Sequence, residues 1–143
     1  MKCRQISDTE ILKIEDAEFI IGIIPEMEWI RITSQLLQFK KMIEPLIKNP
    51  KAEATIDQND PNYEKMIEAN NILSIANRSL IKFGVRGHSG LEGMDGQALP
   101  FKKTDDGFAD YSMVELYATN KLINKIVPAI ISFSAMTGQD KKN

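Results

Sequence analysis

Cysteine is almost absent: Cys3 is the only one in 143 residues. The chain therefore has no internal disulfide and no cysteine-built zinc site, a usage that fits a reducing cytoplasm. Histidine is as scarce, with His88 alone, which removes the several converging ligands that a metal centre needs. The longest apolar run, residues 19–24, falls far short of the roughly 20 residues of a membrane span. Met1-Lys2-Cys3-Arg4 leads into polar sequence rather than a signal-peptide core, so a cytosolic protein is expected. Neither charge is in excess. The formal net charge is -2, from 18 Lys/Arg against 20 Asp/Glu, and the two signs interleave. Without a basic stripe to meet phosphates, nucleic-acid binding is disfavoured.

What remains is an ordinary globular composition, 43% hydrophobic and 27% charged, over a length suited to one domain. The pattern predicts an α+β fold, mainly α-helical, with an N-terminal β-hairpin packed on about three helices. An irregular glycine-rich loop is expected before the last helix. Residues 1–25 hold the hairpin: Ile11-Leu12-Lys13-Ile14 and Phe19-Ile20-Ile21-Gly22-Ile23-Ile24 are rich in β-branched residues, and the polar Glu15-Asp16-Ala17-Glu18 joins them. Residues 26–48 read as a helix, because Trp29, Ile32, Leu36, Phe39, Ile43 and Leu46 recur at spacings of three and four. Pro25 suits its start and Pro45 its end.

A linker is expected over 49–60. Asp60-Pro61 then predicts an N-cap and first helical position for a helix over 61–83. Residues 84–111 read as a glycine-rich loop. Ser112-Met113-Val114-Glu115 fits a capping box that opens a helix over 112–136, kinked or divided near Pro128. Residues 137–143 read as a flexible polar tail.

Five of the eight glycines stand at Gly84, Gly87, Gly90, Gly93 and Gly96. Collagen is excluded, because the segment is short and lacks proline at the intervening positions. A phosphate loop is excluded as well, since no Gly-Lys-Ser/Thr follows. Asp95-Gly96 looks like a turn, after which Ala98-Leu99-Pro100-Phe101 can fold apolar groups back onto the helices.

The stretch Gly87-His88-Ser89-Gly90-Leu91-Glu92-Gly93-Met94-Asp95-Gly96-Gln97-Ala98-Leu99-Pro100-Phe101, with Ala17-Glu18-Phe19-Ile20-Ile21 before it and Lys142-Asn143 at the end, resembles the tail assembly chaperones of long-tailed bacteriophages. His88 stands where that family usually has tryptophan, and Gly93 where it often has an acid. The resemblance implies a non-catalytic factor without cofactors, made in the infected cell and working in the host cytoplasm. It would bind the tape-measure protein and tail-tube subunits until the tail polymerises, with self-association as a further option, and it would be missing from the mature virion. It also implies a frameshifted longer form encoded near Lys141-Lys142-Asn143. Signature or contact positions on this reading are Trp29, Phe39, Gly87, Gly90, Leu91, Asp95, Gly96, Pro100, Phe101 and Tyr117. The alternative is a small structural virion protein of the neck or tail.

Catalysis is the weaker expectation. His88 lies between Arg86 and Ser89 without a second ligand or partner base in sequence. Asp105, Asp106 and Asp110 lack the spacing of a calcium loop. Glu26 and Glu28, two apart, do not share a helix face.

Overall fold

Alternation along residues 9–22 builds the first unit. β1 (Thr9–Ile14) and β2 (Ala17–Gly22) pair antiparallel from Thr9 opposite Gly22 to Ile14 opposite Ala17, around a Glu15-Asp16 turn. Glu15 there takes a positive φ of 54°. Ala17, Phe19 and Ile21 are buried, while Ile11 and Ile20 face outward, as a two-residue side-chain period requires. The computed structural model describes residues 1–47 and 60–136. The expected linker, apart from Asp60, and the expected tail lie outside the described residues.

The hairpin is not the whole sheet. α1 (Glu26–Ile43) and α2 (Tyr63–Gly84) follow it, and α2 passes directly into β3 (Val85–Ser89), which pairs antiparallel with β2 in the order β1-β2-β3. The loop expected over 84–111 is thus corrected: Gly84 closes α2, Val85–Ser89 is a strand, and Tyr111 already belongs to the next helix. A bulge at Ile20/Ile21 brings Ile21 opposite Val85, Ile20 opposite Gly87 and Phe19 opposite His88. Arg86 is the extra residue, so Val85 and His88, three apart, both fall on the core side of the sheet.

The Arg86 guanidinium donates to three backbone carbonyls, Phe83 at 3.3 Å, Ile23 at 2.6 Å and Ile6 at 3.2 Å. It also lies 5.2 Å from the Phe108 ring centroid. Burial pulls its pKa below arginine's ordinary value. One side chain thereby ties the N-terminal segment, the end of β2 and the end of α2 together.

The helices pack on the inner sheet face. Ile32 of α1, Leu80 and Ile81 of α2, and the sheet residues Phe19, Ile21 and Val85 are fully or almost fully buried. α1 ends at Ile43, two residues before Pro45, whose missing N–H cannot continue the ladder. At the other helix start, the Asp60 carboxylate accepts from Asn62 N at 2.8 Å, but the helix itself begins at Tyr63. Asp60-Pro61-Asn62 is a turn before α2 rather than its first turn.

The last helical block is two helices, α3 (Tyr111–Thr119) and α4 (Ile123–Ala135). Their division lies at Asn120–Leu122 and not at Pro128, which sits inside α4 with its ring exposed. Leu122 N bonds Tyr117 O at 2.9 Å and Lys121 N bonds Ala118 O at 3.2 Å, the reciprocal pair that ends a helix when the residue between turns left-handed. Lys121, with φ 57°, is that residue.

The expected capping box is also corrected. Asp110 caps α3, accepting from Ser112 N at 3.0 Å and from Ser112 Oγ at 2.6 Å, bonds that hold its carboxyl below the usual range. Glu115 turns away to pair with Arg78 of α2.

Tyr117, Ile126, Ile130 and Phe133 complete the core. The ends of the described chain are clasped: Arg4 donates to the carbonyls of Phe133 and Met136 at the end of α4, where a cation complements the helix dipole. Its guanidinium also lies 4.6 Å from the Phe133 ring centroid. Among the described residues no helix is long and apolar enough to cross a membrane.

Candidate functional site

Between β3 and α3 the chain makes two successive hairpins of one design. In the first, Leu99 N bonds Leu91 O at 2.8 Å, Gly93 N bonds Gln97 O at 2.8 Å, and Gly96 N closes the turn on Gly93 O at 2.9 Å. Eleven residues on, Asp110 N bonds Lys102 O at 3.0 Å, Thr104 N bonds Phe108 O at 2.8 Å, and Gly107 N closes on Thr104 O at 2.9 Å. Glu92 bridges Ala98 in one and Lys103 bridges Ala109 in the other. Gly96 and Gly107 occupy the same left-handed position, with φ 80° and 86°. Met94-Asp95-Gly96-Gln97-Ala98 and Asp105-Asp106-Gly107-Phe108-Ala109 are the matching sequences, a type I turn closed by a glycine bulge in each case.

His88 fixes this pair of hairpins to the core. Its Nε2 lies 2.7 Å from Leu99 O, and its Nδ1 2.6 Å from the Tyr117 hydroxyl. A carbonyl oxygen can only accept, so Nε2 donates to Leu99 O, and in the neutral ring Nδ1 accepts from the Tyr117 hydroxyl. The ring meets Phe101 edge-on at 5.3 Å, Tyr117 at 5.7 Å and Phe19 at 6.3 Å, within the range of favourable aromatic pairs. Burial pushes the Tyr117 hydroxyl well above its ordinary pKa. Both imidazole nitrogens are engaged, so the ring serves as a strut between Tyr117 and the first hairpin.

Of the residues singled out from the sequence, Phe101 and Tyr117 converge on His88, and Leu91 packs partly buried against the core. Gly87 lies on β3 under Ile20, whose Cδ1 would stand 3.1 Å from an added Cβ. Pro100 is exposed beside Phe101. Asp95 and Gly96 sit at the exposed tip of the first hairpin, where Asp95 Oδ1 accepts from Gln97 N at 3.0 Å. Trp29 and Phe39 stand apart on α1, both partly buried.

Gly90 is held to glycine by both conformation and space. Its φ is 83°, and a Cβ would fall 2.6 Å from Asp16 O. Gly90→Ala is expected to lower stability by roughly 1–3 kcal/mol through left-handed strain and displacement of the β1–β2 turn. Urea unfolding monitored by circular dichroism measures this.

A groove missed in the sequence opens on the other side of the second hairpin. It encloses about 380 Å³ between α2, the hairpin and the start of α3. Ile75, Ala109, Tyr111 and Val114 form its apolar lining, and Arg78, Lys82 and Asp110 its charged margin. Ile75 is 53% and Tyr111 71% exposed, so both project into the opening. The Arg78–Glu115 pair, which raises the arginine's pKa and lowers the glutamate's, spans α2 and α3 beside it. The sequence signal was available only in part: Tyr111 adjoins the helix start, whereas Ile75 falls off the buried stripe of α2. Among the described residues no group of three or more His, Cys, Asp or Glu is placed to hold a metal ion.

Comparison with family models, with curated protein sequences and with solved structures finds no match.

Proposed function

We propose that this chain is a tail assembly chaperone of a long-tailed bacteriophage, acting in the host cytoplasm by binding the tape-measure protein and tail-tube subunits without catalysis. The observation that carries the reading is the groove lined by Ile75, Ala109, Tyr111 and Val114. An apolar floor with charges of both signs at its margin matches an amphipathic helix, which inserts apolar side chains and meets the rim with its polar flanks. A tape-measure protein, as a very long helix, exposes apolar stripes of that kind until the tail forms around it. The engagement of both His88 nitrogens supports a structural histidine rather than a catalytic base.

The test is co-expression with the tape-measure protein of the same phage. This chain is expected to raise the soluble fraction and to co-elute with it on gel filtration. Ile75→Glu, at an exposed position, is expected to abolish co-elution while leaving the circular dichroism of the isolated chain unchanged. Unchanged solubility and no complex would overturn the proposal. Presence in purified virions at fixed copy number would instead identify a structural neck or tail component.

A further inference from the structure

We propose that a second copy of this chain docks on the outward face of α1, the two helices running antiparallel about Ser34. The face is independent of the groove and shares no residue with it. Only Ile32 of α1 is fully buried, with Trp29 and Leu36 packed partly against the core. The opposite side carries a second apolar stripe: Met27 is 78%, Ile30 53% and Leu37 51% exposed. With Ser34 and Lys41 the series runs 27, 30, 34, 37, 41, alternating steps of three and four. That is the spacing of a helix seam contacting another helix.

The stripe is self-complementary in one direction only. Rotating it by half a turn about Ser34 lays Ile30 against Leu37 of the second copy, and the small serine sits where the helices approach most closely. The same rotation brings the acidic first turn, Glu26, to the basic last turn, Lys40 and Lys41, once on each side of the axis. Met27 then lies under the aliphatic stem of Lys41. A parallel pairing would place Lys41 against Lys41 and align the helix dipoles, so charge selects the antiparallel arrangement. A two-fold contact of this kind closes on itself and stops at a dimer. An 18-residue helix is about 27 Å long, so the interface is at the small end of specific contacts and the dimer depends on concentration.

Sedimentation equilibrium of the full chain is expected to show a species of twice the 16.2 kDa chain mass that dissociates on dilution. Leu37→Asp is expected to give a monomer with unchanged circular dichroism, and Ile75→Glu in the groove to leave the dimer intact. Lys40→Glu with Lys41→Glu should weaken the dimer by about tenfold, the change expected from about 1.4 kcal/mol. Adding Glu26→Lys to that pair should restore it. Direction is read by oxidation in a Cys3→Ser background: Ser34→Cys is expected to form a disulfide-linked dimer, and Lys41→Cys, about 20 Å from its counterpart in the antiparallel pair, is not. A chain that stays monomeric up to about 200 μM, a dimer that survives Leu37→Asp, or ready crosslinking of Lys41→Cys would each overturn the proposal.

Discussion

Tyr117→Ala is expected to lower the stability of the fold by roughly 3–5 kcal/mol, the range for truncating a buried aromatic side chain. Tyr117 is fully buried, and its ring meets Phe19 edge-on at 5.4 Å and His88 at 5.7 Å. Removal opens a cavity where β2, β3 and α3 meet. It also removes the Tyr117 partner of His88 Nδ1, on the ring whose Nε2 holds the first hairpin through Leu99 O. Tyr117→Phe separates the two contributions, since the ring stays and only the hydroxyl goes. Leaving the partly buried His88 Nδ1 unpaired is expected to cost about 1 kcal/mol, the low end of the range for a buried acceptor. Urea unfolding of the three proteins, with the slope held common, measures both differences.

The same hydroxyl makes a pH prediction. The folded pKa of Tyr117 lies above its unfolded value near 10.0, so the folded state retains a proton that the unfolded state releases. Its contribution is fully present below about pH 10 and is lost as pH rises from there toward the folded value. Alkaline titration at the tyrosinate absorption band is expected to show Tyr117 ionising only as the fold is lost. Ionisation of Tyr117 within an intact fold, read from the difference between wild type and Tyr117→Phe, would contradict its placement.

How far the fold can be read from sequence depends on whether burial follows a simple period. The β1–β2 hairpin was legible from its two β-branched runs, although its turn is Glu15-Asp16 alone and Ala17 and Glu18, expected in the connection, belong to β2. The core side of α1 was legible because Trp29, Ile32 and Leu36 keep the helical spacing. β3 was not, since the bulge at Ile20/Ile21 puts Val85 and His88 on one side at a spacing of three. That spacing suits neither a strand nor, with Gly84, Gly87 and Gly90 around it, a helix. The division between α3 and α4 was placed at Pro128 because proline is the usual signal. The break instead rests on a left-handed Lys121, a conformation that lysine does not advertise. At the start of α3, Ser112 and Glu115 fit a capping box by spacing, but Asp110 takes the Ser112 N–H and Glu115 pairs with Arg78 of α2 instead, a partner that local spacing does not show. The candidate site divides along the same line. Phe101 and His88 could be singled out within the Gly87–Phe101 segment and Tyr117 as a contact position, but the partners of His88 come from α3 and from the far arm of a hairpin. Ile75 and Tyr111 are defined by exposure beside another element, which no local pattern records.

Gly84→Val is expected to be the most disruptive single addition of atoms, at roughly 3 kcal/mol or more, because α2 and α4 meet there without a gap. A Cβ on residue 84 would stand 2.6 Å from Ile130 Cγ2 and 2.9 Å from its Cδ1. Both residues are fully or nearly fully buried, so Ile130 cannot swing into solvent to make room. Gly84→Ala presents the same first atom with less bulk, and a loss of about 1–3 kcal/mol is expected. Two independent defects would add. If the clash with Ile130 is the cause, Ile130→Ala removes the obstructing atoms, and Gly84→Ala made in that background should cost much less than in the wild type. The double-mutant cycle is expected to return a coupling of about 1–2 kcal/mol in that direction. Strict additivity would instead place the cost in the backbone at the α2–β3 junction, where helix passes into strand with no turn between them.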